Sequence, residues 1–311
     1  MTAAGRPGVL LMTYGSPDSL DRADIEAYLA RVRGGREPEA ELVDEFARRY
    51  RVIGGSPLIE ITRSQAAALS TVLGWPVEVG MRFSEPSILA GLQALSAAGV
   101  TSVVAIVLSP QDSPLLMGGY GRAIEAARAA IGPAAPEVTV AGAWHDEPAF
   151  IAALAGRLVA ALGRRSPADR AAVRVLMTAH SLPRRVAEQE PDYLAQLRTT
   201  AVAVAAAAGL SDDDWTFCWQ SAGPEPGEWM KPDFDDLMPG IAASGGRSVL
   251  VVPVQFLADH LETLYDVDIG AREQAEAHAL TFLRVPSLND DPGLIEALAS
   301  VARRIAVPLP A

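Results

Sequence analysis

The sequence predicts an α/β protein of two similar Rossmann-like halves, each a parallel sheet flanked by helices. Short apolar runs alternate with amphipathic stretches, the pattern of strands buried on both faces and joined by crossover helices. The alternation starts afresh after a polar linker at Gly163 to Arg170. The two runs also resemble each other: Leu11-Met12-Thr13 mirrors Leu176-Met177-Thr178, and Ser102 to Leu108 mirrors Ser248 to Val254. With 311 residues to distribute, the expected division is 1–145 and 146–311, the last helix being free to pack back on the first half.

Taken in order, Gly8 to Thr13 reads as a strand stopped by the turn Tyr14-Gly15-Ser16-Pro17. Helices are expected at Asp21 to Val32, at Glu39 to Arg51 and, after the break Ile53-Gly54-Gly55-Ser56-Pro57, at Ile61 to Leu73. Strands at Val77 to Gly80, Ser102 to Leu108 and Val138 to Ala141 follow, with a helix at Pro86 to Ala98. An apolar-striped helix at Pro148 to Leu162 leads to the linker. The second half has strands at Val173 to Thr178, Thr216 to Gln220, Ser248 to Val254 and Leu280 to Arg284. Its helices are expected at Tyr193 to Ala208, Phe234 to Ala243, Val267 to Ala279 and Pro292 to Ile305.

The composition, 50% hydrophobic and 21% charged, excludes a disordered chain. A net charge of −12 argues against nucleic acid or an anionic membrane as a bulk partner, so an anionic ligand needs a local arginine cluster. The single Cys218 excludes an intrachain disulfide and a cluster held by several thiolates, and reads as a buried small hydrophobe. No stretch reaches the roughly eighteen apolar residues of a membrane span, and Met1 to Arg6 leave no room for a signal peptide. The expectation is a cytoplasmic protein.

The strand Arg174 to Thr178 ends in a polar turn that puts His180 just past its carboxyl end, the edge where open α/β sheets bind ligands. Val254 to Asp266 leaves a strand and enters a helix, with Glu262 and Asp266 four apart on one face near its start. An imidazole meeting a carboxylate suits either proton transfer or a divalent metal. His260 is expected to support its loop, and His145 and His278 are given no role. Neither Gly-x-Gly-x-x-Gly nor a Walker loop follows any strand, which disfavours a nucleotide. Gly118-Gly119-Tyr120-Gly121, preceded by Pro114-Leu115-Leu116-Met117, reads as an apolar lip suited to a flat greasy ligand.

Three stretches are more specific: Thr178-Ala179-His180-Ser181-Leu182-Pro183, Asp259-His260-Leu261-Glu262-Thr263-Leu264-Tyr265, and Tyr50-Arg51-Val52-Ile53-Gly54-Gly55-Ser56-Pro57-Leu58. With Leu11 to Pro17, Gln220-Ser221 and Trp229 they make the chain resemble the ferrochelatases over essentially its full length. More narrowly, it resembles the Gram-positive, actinobacterial coproporphyrin III type. The resemblance implies a chelatase-like fold with the active cleft between the halves. The implied activity is that of a lyase that inserts Fe²⁺ into coproporphyrin III to give coproheme in heme biosynthesis. It implies His180 and Glu262 as the catalytic inner iron site, Asp266 on an outer metal path, and Tyr14 approaching the metal from the other macrocycle face. Arg33, Arg49, Tyr50, Ser56 and Tyr120 match positions that contact the porphyrin or its propionates. Fe²⁺ would be a substrate, with no iron–sulfur cluster and no nucleotide. A monomer is implied, with no membrane insertion and no nucleic acid, and with room for a transient contact with a coproheme decarboxylase. Departures from the family pattern fall at Gln111-Asp112, Gln255 and Gly270. They keep two alternatives in view: a paralogue for another tetrapyrrole or metal, and a non-catalytic porphyrin- or heme-binding protein.

Overall fold

A computed structural model describes residues 6–223 and 227–306; Met1 to Gly5, which precede the first strand, lie outside the described residues. The chain divides into two compact units, Met1–Trp144 with Asn289–Ala311, and His145–Leu288.

The first unit contains strands β1 (Pro7–Thr13), β2 (Val77–Met81), β3 (Ser102–Val107) and β4 (Glu137–Val140). Helices α1 (Arg22–Val32), α2 (Ala40–Ile53), α3 (Leu58–Leu73), α4 (Ile88–Ala97) and α5 (Pro114–Ile131) connect them. The strands pair in parallel in the order β2-β1-β3-β4. The second unit contains α6 (Pro148–Gly163), α7 (Pro167–Ala171), β5 (Val173–His180), α8 (Arg184–Ala187), α9 (Pro191–Ala207), β6 (Trp215–Gln220) and α10 (Phe234–Ala243). It continues with β7 (Ser248–Pro253), a π-helix (Glu262–Ala271), α11 (Arg272–Ala277) and β8 (Thr281–Arg284). Its sheet is also parallel, in the order β6-β5-β7-β8. The final helix, α12 (Pro292–Ala306), is grouped with the first unit, where it packs against α3 and β3.

The two sheets therefore have one topology. β1 and β5 are equivalent, and so are β3 and β7, the strand pairs that mirror each other in sequence. Residues 8–13 of β1 and all of β7 are buried, as parallel strands covered on both faces must be. In each sheet the chain moves to one side of the first strand and then crosses to the other. The switch point thus lies at the carboxyl ends of β1 and β3, and of β5 and β7.

Three of the differences from the sequence expectation bear on the site and the linker. The apolar lip and glycine run, to which the sequence reading gives no element, lie inside α5, an 18-residue helix. Ser113 caps it by accepting from the Leu116 N–H, Pro114 fills the first turn, and Tyr120, Ile124 and Ala127 face the core at helical spacing. A Cβ at Gly119 would lie 1.9 Å from the Arg82 guanidinium, so a larger residue there would displace that side chain. The helix expected at Val267 to Ala279 begins five residues earlier, as a π-helix at Glu262, and becomes α-helical only at Arg272. The polar linker carries the short helix α7, capped by Ser166.

Candidate active site

β5 runs through the middle of the second sheet and ends on His180, which pairs with Gln220 of β6. His180 Nδ1 lies 2.5 Å from the carbonyl oxygen of Ser181. A carbonyl only accepts, so Nδ1 carries the proton and Nε2 is the nitrogen free to bind one. Nε2 faces Glu262 Oε1 at 3.6 Å, the two side chains being 28% and 36% exposed. Glu262 is the first residue of the π-helix, and Asp266 lies four residues further along it, half-buried.

Glu262 has a second partner. His260 donates from Nδ1 to the Ala258 carbonyl at 2.9 Å and brings Nε2 to 3.2 Å from Glu262 Oε2. The loop holds this ring: the His260 N–H donates to Thr263 Oγ1, whose hydroxyl returns to the His260 carbonyl. One carboxylate is thus shared by two imidazoles. Burial opposes its ionisation, but the neighbouring His180 and His260 rings win and bring Glu262 down to about 2. Burial likewise opposes charging of His260, and the Glu262 carboxylate reverses that, so its pKa rises. Phe256 stands edge-on to both rings, at centroid distances of 4.5 Å to His260 and 6.4 Å to His180.

The structure therefore brings together His180 and Glu262, as the sequence leads one to expect. It also draws in His260, which sequence reasoning leaves as loop support. The spacing His260-x-Glu262 is the only trace of that contact in the sequence, and two residues apart in a loop says little about ring direction. Among the described residues, no group of three or more His, Cys, Asp or Glu side chains is placed to hold a metal ion.

In the first unit, Tyr14 follows β1 and is 43% exposed. Its ring packs edge-on against Phe83 at 4.6 Å. Arg82 lies over Phe83 at 4.7 Å and over Tyr120 at 5.3 Å, so its guanidinium links Tyr120 to the ring that Tyr14 packs against. Tyr120 is buried, which raises its pKa. The Tyr14 turn needs Gly15: its φ is +95°, and a Cβ would meet Ser84 Oγ at 2.5 Å. That hydroxyl in turn donates to the Ser16 carbonyl.

The remaining predicted contacts cluster less tightly. Arg33 is exposed at the end of α1. Arg49 sits on α2 with Nε 2.8 Å from Glu45 Oε1, and Arg48 binds the same carboxylate. Together they hold Glu45 at about 2. Tyr50 is 4% exposed and faces inward with Val43 and Ala47. Ser56 lies in the turn after α2, where its hydroxyl accepts weakly from the Leu58 N–H at 3.4 Å. Cys218 is buried in β6, and burial raises its pKa. No helix among the described residues is long and apolar enough to cross a membrane.

Comparison with solved structures places this architecture among the chelatases. SirB from Bacillus subtilis with Fe³⁺ superposes with a TM-score of 0.59 at 12% identity, over 97% of this chain and 96% of its own. CbiX, described as the terminal enzyme for biosynthesis of siroheme in denitrifying bacteria, matches at 0.51 and 16% identity, over 97% and 100%. At these identities the likeness is one of fold. The family follows from sequence: the ferrochelatase family model matches residues 6–305, and the chain belongs to the ferrochelatase family. A ferrochelatase of Deinococcus radiodurans is 38% identical over 96% of both chains. A coproporphyrin III ferrochelatase of Geobacillus thermodenitrificans is 36% identical over 96% of both. The chain is accordingly a lyase that inserts a metal into a porphyrin.

Proposed function

We propose that the protein inserts Fe²⁺ into coproporphyrin III, yielding coproheme. The observation that carries the site assignment is His180 with Nδ1 against the Ser181 carbonyl and Nε2 turned to Glu262. The substrate assignment is supported by the relatives named coproporphyrin III ferrochelatase and by the tyrosine at position 14.

The reaction exchanges two pyrrole protons for one dication. His180 Nε2 takes the two pyrrole protons in turn, releasing the first to solvent before accepting the second, and Glu262 stabilises the imidazolium formed each time. The neighbouring imidazoles hold the Glu262 pKa below the usual carboxylate range, so the ionised carboxylate acts by its charge. The same charge, with the His180 lone pair before protonation, suits handing over Fe²⁺, whose remaining positions stay open to the macrocycle nitrogens. Asp266 extends the acidic path along the π-helix. Tyr14, Arg33, Arg49, Tyr50, Ser56 and Tyr120 are the proposed porphyrin contacts, the arginines answering the propionates locally on an acidic protein. A cytoplasmic monomer that passes its product to a coproheme decarboxylase fits this reading.

His180→Ala tests it. Metalation should fall by at least a hundredfold while coproporphyrin III binding, read by fluorescence quenching, stays within about threefold of wild type. Turnover unaffected by the substitution contradicts the assignment.

A further inference from the structure

Gln255 lies just beyond β7, and its side chain spans from the end of β5 to a buried residue of α9. Its Oε1 accepts the His180 backbone N–H at 2.8 Å, and its Nε2 donates to Tyr193 Oη at 2.6 Å. A backbone N–H can only donate, so the amide orientation is fixed by its partners. Tyr193 is 1% exposed, buried in the core.

The reason for this contact lies in the ladder. Parallel pairing of β5 with β7 ends at Thr178 and Pro253, followed by one more bond from the Val254 N–H to the Thr178 carbonyl. On the other edge, the Ser181 N–H donates to the Gln220 carbonyl of β6. Alternation along a strand then turns the His180 N–H toward β7, where the chain is leaving the sheet. The Gln255 side-chain carbonyl takes the place of the next backbone acceptor. It adds one rung to the ladder at the residue whose imidazole faces Glu262.

We propose that Gln255 is a positioning residue: anchored by Tyr193, it holds the His180 backbone in register so that Nε2 stays aimed at the reacting centre. The inference rests on the reading of His180 as the base. It assigns Gln255 no contact with porphyrin or metal, so its loss should act on turnover and leave binding alone.

The test is anaerobic metalation of coproporphyrin III by wild type, Gln255→Leu, Gln255→Glu and His180→Ala, with porphyrin Kd measured in parallel. Leucine removes the acceptor at similar size; glutamate keeps an oxygen for the N–H and accepts the Tyr193 hydroxyl. Gln255→Leu should lower kcat about tenfold with Kd within twofold, since small misplacements of a catalytic group cost one to two orders of magnitude. Gln255→Glu should recover to within about threefold of wild type. In protein labelled with ¹⁵N-histidine, the His180 amide signal, identified by its absence in His180→Ala, should move upfield in Gln255→Leu and less so in Gln255→Glu. A Gln255→Leu enzyme with wild-type kcat beside a dead His180→Ala overturns the inference alone. A loss that tracks Kd, or that glutamate does not rescue, also overturns it. Inert wild type, or active His180→Ala, overturns the functional reading and the inference with it.

Discussion

Arg284 closes β8 with a side chain only 10% exposed, and its guanidinium is the pin between two segments of the site. Nε and Nη2 bind both oxygens of Asp268 at 2.8 Å, and Nη2 reaches Asp259 Oδ1 at 3.1 Å. Ser287 donates to the same Asp259 oxygen at 2.7 Å. Asp259 adjoins His260, and Asp268 belongs to the π-helix that begins with Glu262, so one cation ties both sides of the imidazole–carboxylate cluster. Arg284→Met would leave two partly buried carboxylates, 22% and 26% exposed, without their cation. Removing one partner of a buried ion pair costs 3–5 kcal/mol, and the partial exposure here favours the lower end, about 3 kcal/mol. Arg284→Lys keeps the charge but cannot make the two-pronged contact, and should lose about half as much. Because two units need not unfold in one step, hydrogen exchange over Glu262–Ala271 and β8 is the suitable readout. Protection there should fall by about a hundredfold in Arg284→Met, with kcat reduced and the first unit unchanged. Protection equal to wild type, or a lysine variant indistinguishable from it, refutes the reasoning.

Other consequences follow from the first unit. Gly119→Ala should push Arg82 off Tyr120 and Phe83, weakening coproporphyrin binding severalfold at a stability cost of about 1 kcal/mol; titration and thermal melting check both. Gly15→Ala combines a positive φ with a clash at Ser84 and should destabilise by about 2 kcal/mol, measured by urea unfolding. Glu45 is held near 2 against an ordinary 4.5, so it stabilises the fold above about pH 4.5 and loses that contribution as pH falls toward 2. Wild type should therefore exceed Glu45→Gln by a few tenths of a kcal/mol at pH 7, the pairs being well exposed, with the gap closing at pH 2–3.

Much of the fold is legible in the sequence because parallel strands buried on both faces leave continuous apolar runs, as in Val9 to Met12 and Ser248 to Pro253. The strand mirroring of the halves proves to be a shared strand order. Helix α5 escapes because three glycines in four residues argue against a helix, whereas the packing of Tyr120, Ile124 and Ala127 on the core overrides that local preference. The Ser113-Pro114 start and that spacing were the available signal. The π-helix has no sequence signature to read. At the site, His180 and Glu262 are legible as residues at a strand end and a helix start. The sharing of Glu262 with His260 and the Gln255 rung are not, because both depend on which way a loop turns after the chain leaves the sheet. Tyr50 reads in sequence as a substrate contact, and its place on the inward face of α2 with Val43 and Ala47 is visible only in the structure.

The central claim is the identity of the macrocycle, and parallel anaerobic titrations of Fe²⁺ into protein with coproporphyrin III and with protoporphyrin IX test it directly by porphyrin absorbance. Coproporphyrin III should be converted at least tenfold faster than protoporphyrin IX, and His180→Ala should abolish the conversion. Equal or faster conversion of protoporphyrin IX, or binding of coproporphyrin III without metalation, would contradict it.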